Sequence, residues 1–131
     1  MAKRCNEEDR ITRTIADYLR LAGKPGMIWY HVPNGGARNA ITGANLKAMG
    51  VRPGVADFHL LFAKDGSLAS HYVEVKTSTG RQSKSQKDFE RDVLAIDDDL
   101  EHGESAYHIV RSLDEAVALF RSIGAVACHN R

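Results

Sequence analysis

The chain has 131 residues, of which 27% are charged and 43% apolar, and its formal net charge is +1. That length fits a single domain, residues 1–131, around one core, and the balance of charge and apolar residues excludes a disordered chain. No apolar run is long enough to span a bilayer, and a near-neutral total argues against strong non-specific DNA binding.

The start, Met1 to Asp9, lacks the apolar core of a signal peptide, which points to the cytoplasm. Cys5 and Cys128 lie near opposite ends without CxxC spacing, so they read as free thiols and not as a zinc site. Charge is unevenly spread. Pro33 to Gly54 holds Arg38, Lys47 and Arg52 and no acid, whereas Asp97 to Glu104 holds five acids and no Lys or Arg. A phosphate-binding face needs only such a local excess of positive charge.

Asn6 can cap a first helix, with Glu7, Glu8 and Asp9 at its positive end. Ile11, Ile15, Tyr18, Leu19 and Ala22 form its apolar stripe, and Gly23 and Pro25 end it. Glu7 and Glu8 both lie on or beside that stripe, and spacing does not separate them. Met27 to Val32 reads as a strand, and Pro33-Asn34-Gly35-Gly36 as a turn. A basic connection of about 20 residues follows, in which Ala44 to Met49 can form one or two helical turns.

Val55 to Phe62 and His71 to Thr77 read as the two central strands of a hairpin closed by Lys64-Asp65-Gly66-Ser67. Strand alternation puts Glu74 and Lys76 on one face and Val73 and Val75 on the other. Ser83 to Gln86 is a capping box that opens a helix with Phe89, Val93 and Ile96 on its apolar side. Ala106 to Val110 is a further strand. Ser112 to Glu115 is a second capping box, opening a helix with Ala116, Leu119, Phe120 and Ile123 inward. A short tail or frayed strand follows Gly124. The order α, β, loop, β, β, α, β, α predicts an α/β sheet flanked by helices.

Asp57 and Glu74 on neighbouring strands can supply two carboxylates to a magnesium ion, and the backbone carbonyl of Val75 a third oxygen. Lys76 can orient the attacking water and offset charge on a phosphate. Each piece has a plainer use: Asp57 as a turn residue, Glu74 and Lys76 as an ion pair, Gln86 as a helix cap. It is the combination that points to a site. His31, His59 and His71 show neither His-x-His nor HExxH spacing and read as structural or surface residues.

Taken together, a first-helix Glu, HVPNGG at 31–36, GVRPGVAD at 50–57, EVK at 74–76 and S-x-x-Q at 83–86 resemble the VRR-NUC family of the PD-(D/E)xK nuclease superfamily, particularly its short phage-type members. Ala56 departs from the superfamily's proline, a residue that is not a ligand. The resemblance implies a restriction-endonuclease-like fold with a central mixed sheet. It implies a Mg²⁺- or Mn²⁺-dependent DNA endonuclease, with no other cofactor, that works as a homodimer on branched DNA such as four-way junctions, in the host cytoplasm if phage-encoded. It implies Asp57 and Glu74 as metal ligands, Lys76 as the catalytic lysine, and Glu8 and Gln86 as further site residues. Asn34, Arg38, Lys47, Arg52, Arg81 and Lys84 are the candidates for DNA contact. The alternatives are a catalytically silent nucleic-acid-binding module of a larger repair or packaging complex, and a small protein-interaction domain.

Overall fold

The structure, a computed structural model, describes residues 6–33 and 40–127, those at 40–42 by their backbone alone. Cys5, Asn34, Arg38 and Cys128 lie outside the described residues. Helix α1 (Glu7–Ala22) is followed by strand β1 (Ile28–His31), helix α2 (Ala40–Ala48), strands β2 (Phe58–Lys64) and β3 (Ser67–Val75), helix α3 (Lys84–Asp99), strand β4 (Glu104–Val110) and helix α4 (Leu113–Ile123). The sheet order is β1-β2-β3-β4, antiparallel except for the parallel β3–β4 pair that α3 connects. The fold is therefore α/β, a four-stranded mixed sheet flanked by helices. No helix among the described residues is long and apolar enough to cross a membrane.

The predicted order holds except that the loop between β1 and β2 carries helix α2, and several bounds move. The hairpin is tighter than expected. Lys64 pairs with Ser67 around Asp65 (φ 53°) and Gly66 (φ 80°), two positive φ values that match the right-handed twist of the flanking strands. β3 therefore starts at Ser67, four residues earlier than His71, and stops at Val75, so Lys76 lies just beyond it. β2 starts at Phe58, which leaves Asp57 in the loop ahead of it, where its carboxylate is free of ladder geometry. α2 begins at Ala40, earlier than expected. The tail after Gly124 is tied back by a bridge between Gly23 and Val126.

Period-two alternation splits the sheet into two apolar faces. Phe58, Leu60, Phe62, Val73, Val75 and Val110 pack with Ile15 and Leu19 of α1 and Ala116, Phe120 and Ile123 of α4. On the other face, Tyr107 of β4 packs with Phe89 and Val93 of α3 and with Ala56, and Tyr72 lies against them. Ile96 is 55% exposed despite its place on the predicted stripe. The last turn of α3 is held instead by Asp97, whose Oδ1 accepts from the Ser105 N–H at 2.9 Å.

The buried histidines are hydrogen-bonded on both ring nitrogens. His71 Nε2 lies 2.5 Å from Glu104 Oε2, and its Nδ1 lies 2.9 Å from His108 Nε2. Lys64 closes the chain on Glu104 at 3.5 Å. His59 stacks on Tyr72 and bonds to the Tyr30 hydroxyl at 2.6 Å and to Ser70 Oγ at 2.9 Å.

Candidate active site

A cleft of about 570 Å³ opens where the start of β2, the end of β3 and the first turns of α1 and α3 converge. Its lining includes Glu8, Lys47, Arg52, Asp57, Glu74 and Gln86. The chain supplies these from five separate segments, so the fold brings together residues spread over most of its length.

Asp57 and Glu74 form its centre. Pairing of Phe58 with Val73 sets the two acids one step beyond the last paired rung of the hairpin. The Val75 N–H donates to Asp57 Oδ2 at 2.7 Å, which fixes that carboxylate against the end of β3. Glu74 is only 3% exposed, and its Oε1 is buried with no hydrogen-bond partner among the described residues. Burial pushes its carboxyl up to about 9, helped by the hydrogen bond and charge of Asp57 and the charge of Glu8, and opposed by Lys76. At neutral pH the metal-free Glu74 thus holds a proton.

An orphaned buried oxygen beside a second carboxylate is costly unless a cation occupies the space between them. Among the described residues no group of three or more His, Cys, Asp or Glu side chains is placed to hold a metal ion unaided. Two carboxylates are nonetheless what magnesium takes from a protein when water and phosphate complete its shell. The donor set fits such an ion.

Around this pair the remaining candidates separate. Glu8, partly buried, faces the cleft, while Glu7 is exposed and lines a different depression with Arg10 and Arg111. Lys76 is 9% exposed, and its N–H bonds to the Val110 carbonyl. Its charge acts on Glu74, yet it is not among the residues that line the cleft. The Val75 side chain lies in the α1/α4 core, leaving only its peptide group toward Asp57. Gln86 lines the cleft, but its Oε1 accepts from the Ser83 N–H at 2.8 Å, completing the capping box.

The basic candidates are differently engaged. Lys47 lines the cleft. Arg52 does too, though its guanidinium is bonded to Asp92 Oδ2 at 2.6 Å and lies over the Phe89 ring. Arg81 is exposed, and Lys84 is solvated and paired with Asp88 at 3.2 Å. Neither of these two lines the cleft.

Of two supporting residues, Arg111 escaped sequence reasoning and Gly54 is marked in the sequence only as part of a turn. Arg111 donates to the carbonyls of Thr77 (2.6 Å) and Gly80 (2.8 Å), clamping the loop that follows Lys76. Gly54 presses on the first turn of α3. The Pro53-Gly54 dipeptide was a legible turn signal, whereas nothing local marked Arg111 as a clamp. No family model, curated protein or solved structure matches the chain, so the chemistry of the cleft is read from its own residues.

Proposed function

We propose that this protein is a Mg²⁺- or Mn²⁺-dependent DNA endonuclease with a restriction-endonuclease-like fold of the VRR-NUC kind. The observation that carries this reading is buried Glu74, its Oε1 unpartnered among the described residues, beside the half-buried Asp57 in a cleft that also holds Lys47 and Arg52. Clustered carboxylates repel a phosphate backbone, so a binding-only module gains nothing from setting two of them side by side in its cleft.

Asp57 and Glu74 would hold the ion, together with the carbonyl of Val75. A divalent cation there lowers the pKa of bound water and polarises the scissile phosphoryl oxygen. The chain's own residues do the rest. The Val75 N–H keeps Asp57 oriented, so no reorganisation is needed at the moment of reaction. Lys76 does not line the cleft, and its part is to favour the ionised form of Glu74. Water attacks phosphorus and gives up a proton to bulk solvent, the bond to the departing strand's oxygen breaks, and that oxygen takes a proton from solvent as it leaves. Lys47 supplies positive potential for the backbone, and Glu8 bounds the cleft on the α1 side. Branched DNA is the proposed substrate. A two-fold dimer would bring two such clefts to two strands of a symmetric junction.

The test is cleavage of four-way junction, flap, duplex and single-stranded DNA with Mn²⁺, by wild type and Glu74→Ala. The wild type is expected to cut branched substrates, and the variant to bind DNA without cutting. Undiminished metal-dependent cleavage by Glu74→Ala would remove the assignment.

A further inference from the structure

Gly54 occupies the Pro53-Gly54 turn with φ of 82°. A Cβ placed there would lie 2.4 Å from both the carbonyl carbon and oxygen of Ser85 and 2.7 Å from the Gln86 nitrogen. Those are backbone atoms in the first turn of α3, and they cannot yield without shifting the helix. Two residues earlier, Arg52 reaches along α3 to Asp92 at 2.6 Å and covers the Phe89 ring at 5.2 Å. Two residues later, Ala56 is fully buried in the cluster formed with Phe89 and Val93. The next residue is Asp57. The segment 52–57 is thus pressed on α3 at three points and ends on a carboxylate of the cleft.

We infer that Gly54 is a positioning residue: its bare Cα sets how closely this strap meets the first turn of α3, and so aims Asp57 and the cleft wall formed by Ser85 and Gln86. The inference rests on the nuclease reading for its activity readout, while the geometry behind it is independent of that reading. Gly66 provides the matching control. It has φ of 80° at the hairpin tip, and a Cβ there would meet nothing within 4 Å. Alanine at either position pays the left-handed backbone cost, but only at position 54 does it also collide.

The experiment compares wild type, Gly54→Ala, Gly66→Ala and Asp92→Ala in the full chain, by circular dichroism, thermal unfolding and steady-state cleavage of junction DNA in Mn²⁺. Both glycine variants are expected to lose thermal stability with helical content retained. Gly54→Ala should lose about tenfold or more in kcat with KM changed by less than about threefold, because misplaced catalytic groups cost rate before affinity. Gly66→Ala should keep kcat within about twofold of wild type. Asp92 does not itself line the cleft; Asp92→Ala releases the Arg52 latch and should lower kcat by about threefold. It decides the matter if Gly54→Ala fails to fold. The inference is overturned if the two glycine variants lose kcat equally, if Gly54→Ala keeps wild-type kcat, or if Asp92→Ala leaves kcat unchanged and only tightens DNA binding. A wild type that cuts none of the DNA structures would remove the nuclease reading and this inference with it. Cleavage unaffected by Gly54→Ala would remove the inference alone.

Discussion

Glu74→Gln should make the metal-free protein more stable. In the folded chain the Glu74 carboxyl sits at about 9, against 4.5 in the unfolded chain. The folded value is raised, so the group's stabilising contribution is complete below about 4.5 and is lost as pH climbs toward 9. At pH 7 the loss spans 2.5 pH units, or about 3 kcal/mol at 1.36 kcal/mol per unit. Glutamine removes that loss, since it carries no proton to hold and its amide can donate to Asp57. For a chain of 131 residues this corresponds to a rise in Tm of about 10 °C. The assay is urea and thermal unfolding in EDTA at pH 5, 7 and 8.5. The advantage should be below about 1 kcal/mol at pH 5 and grow by about 1.4 kcal/mol per unit above it. A variant equal to or weaker than wild type at pH 7, or an advantage that ignores pH, would refute the account of Glu74 as a buried acid awaiting a cation.

Ser83→Ala and Gln86→Ala each break one half of the α3 capping box and should each cost about 1 kcal/mol in chemical denaturation. If Gln86 acts through the cap, the two variants should also lose similar cleavage activity; a far larger loss for Gln86→Ala would place its side chain on the substrate. Acid should weaken the fold through His71 and His108. Burial holds both below the usual histidine value, His108 down to about 4, so stability present above about 6.5 is lost as pH falls toward 4. Partial exposure tempers the expected loss to about 2 kcal/mol between pH 7 and 4.5, measured by urea unfolding, and His108→Gln should flatten that dependence.

Much of the architecture was legible because it follows from periodicity and caps. Asn6, Ser83 and Ser112 each cap the helix they were expected to open. Glu74 was placed opposite Val73 and Val75 by strand parity alone. The misreadings lie where tertiary contacts overrule local pattern. Ser67 to Ser70 is too polar to read as strand, yet pairing with Leu61 to Lys64 draws it into β3. Ile96 continues a helical stripe, but Asp97 makes the contact with β4. In the cleft, sequence spacing could not choose between Glu7 and Glu8. The docking of α1 does, because it turns one toward Glu74 and the other away. That Arg52 is latched to Asp92 was likewise invisible, since the two are 40 residues apart.

The tight Asp65-Gly66 turn has a consequence for the order of assembly. It joins β2 to β3 through seven successive paired residues, so Asp57 and Glu74 can meet through local closure alone. Glu8 lies 49 residues from Asp57 and 66 from Glu74, so it is brought in by a longer loop closure. The cost of burying the Glu74 carboxyl beside Asp57 therefore falls on a hairpin that is already zipped, and the third acid adds its charge last. Leu60 and Val73 should accordingly give higher folding φ-values than Ile15, and the reverse order would show that α1 docks before the hairpin closes.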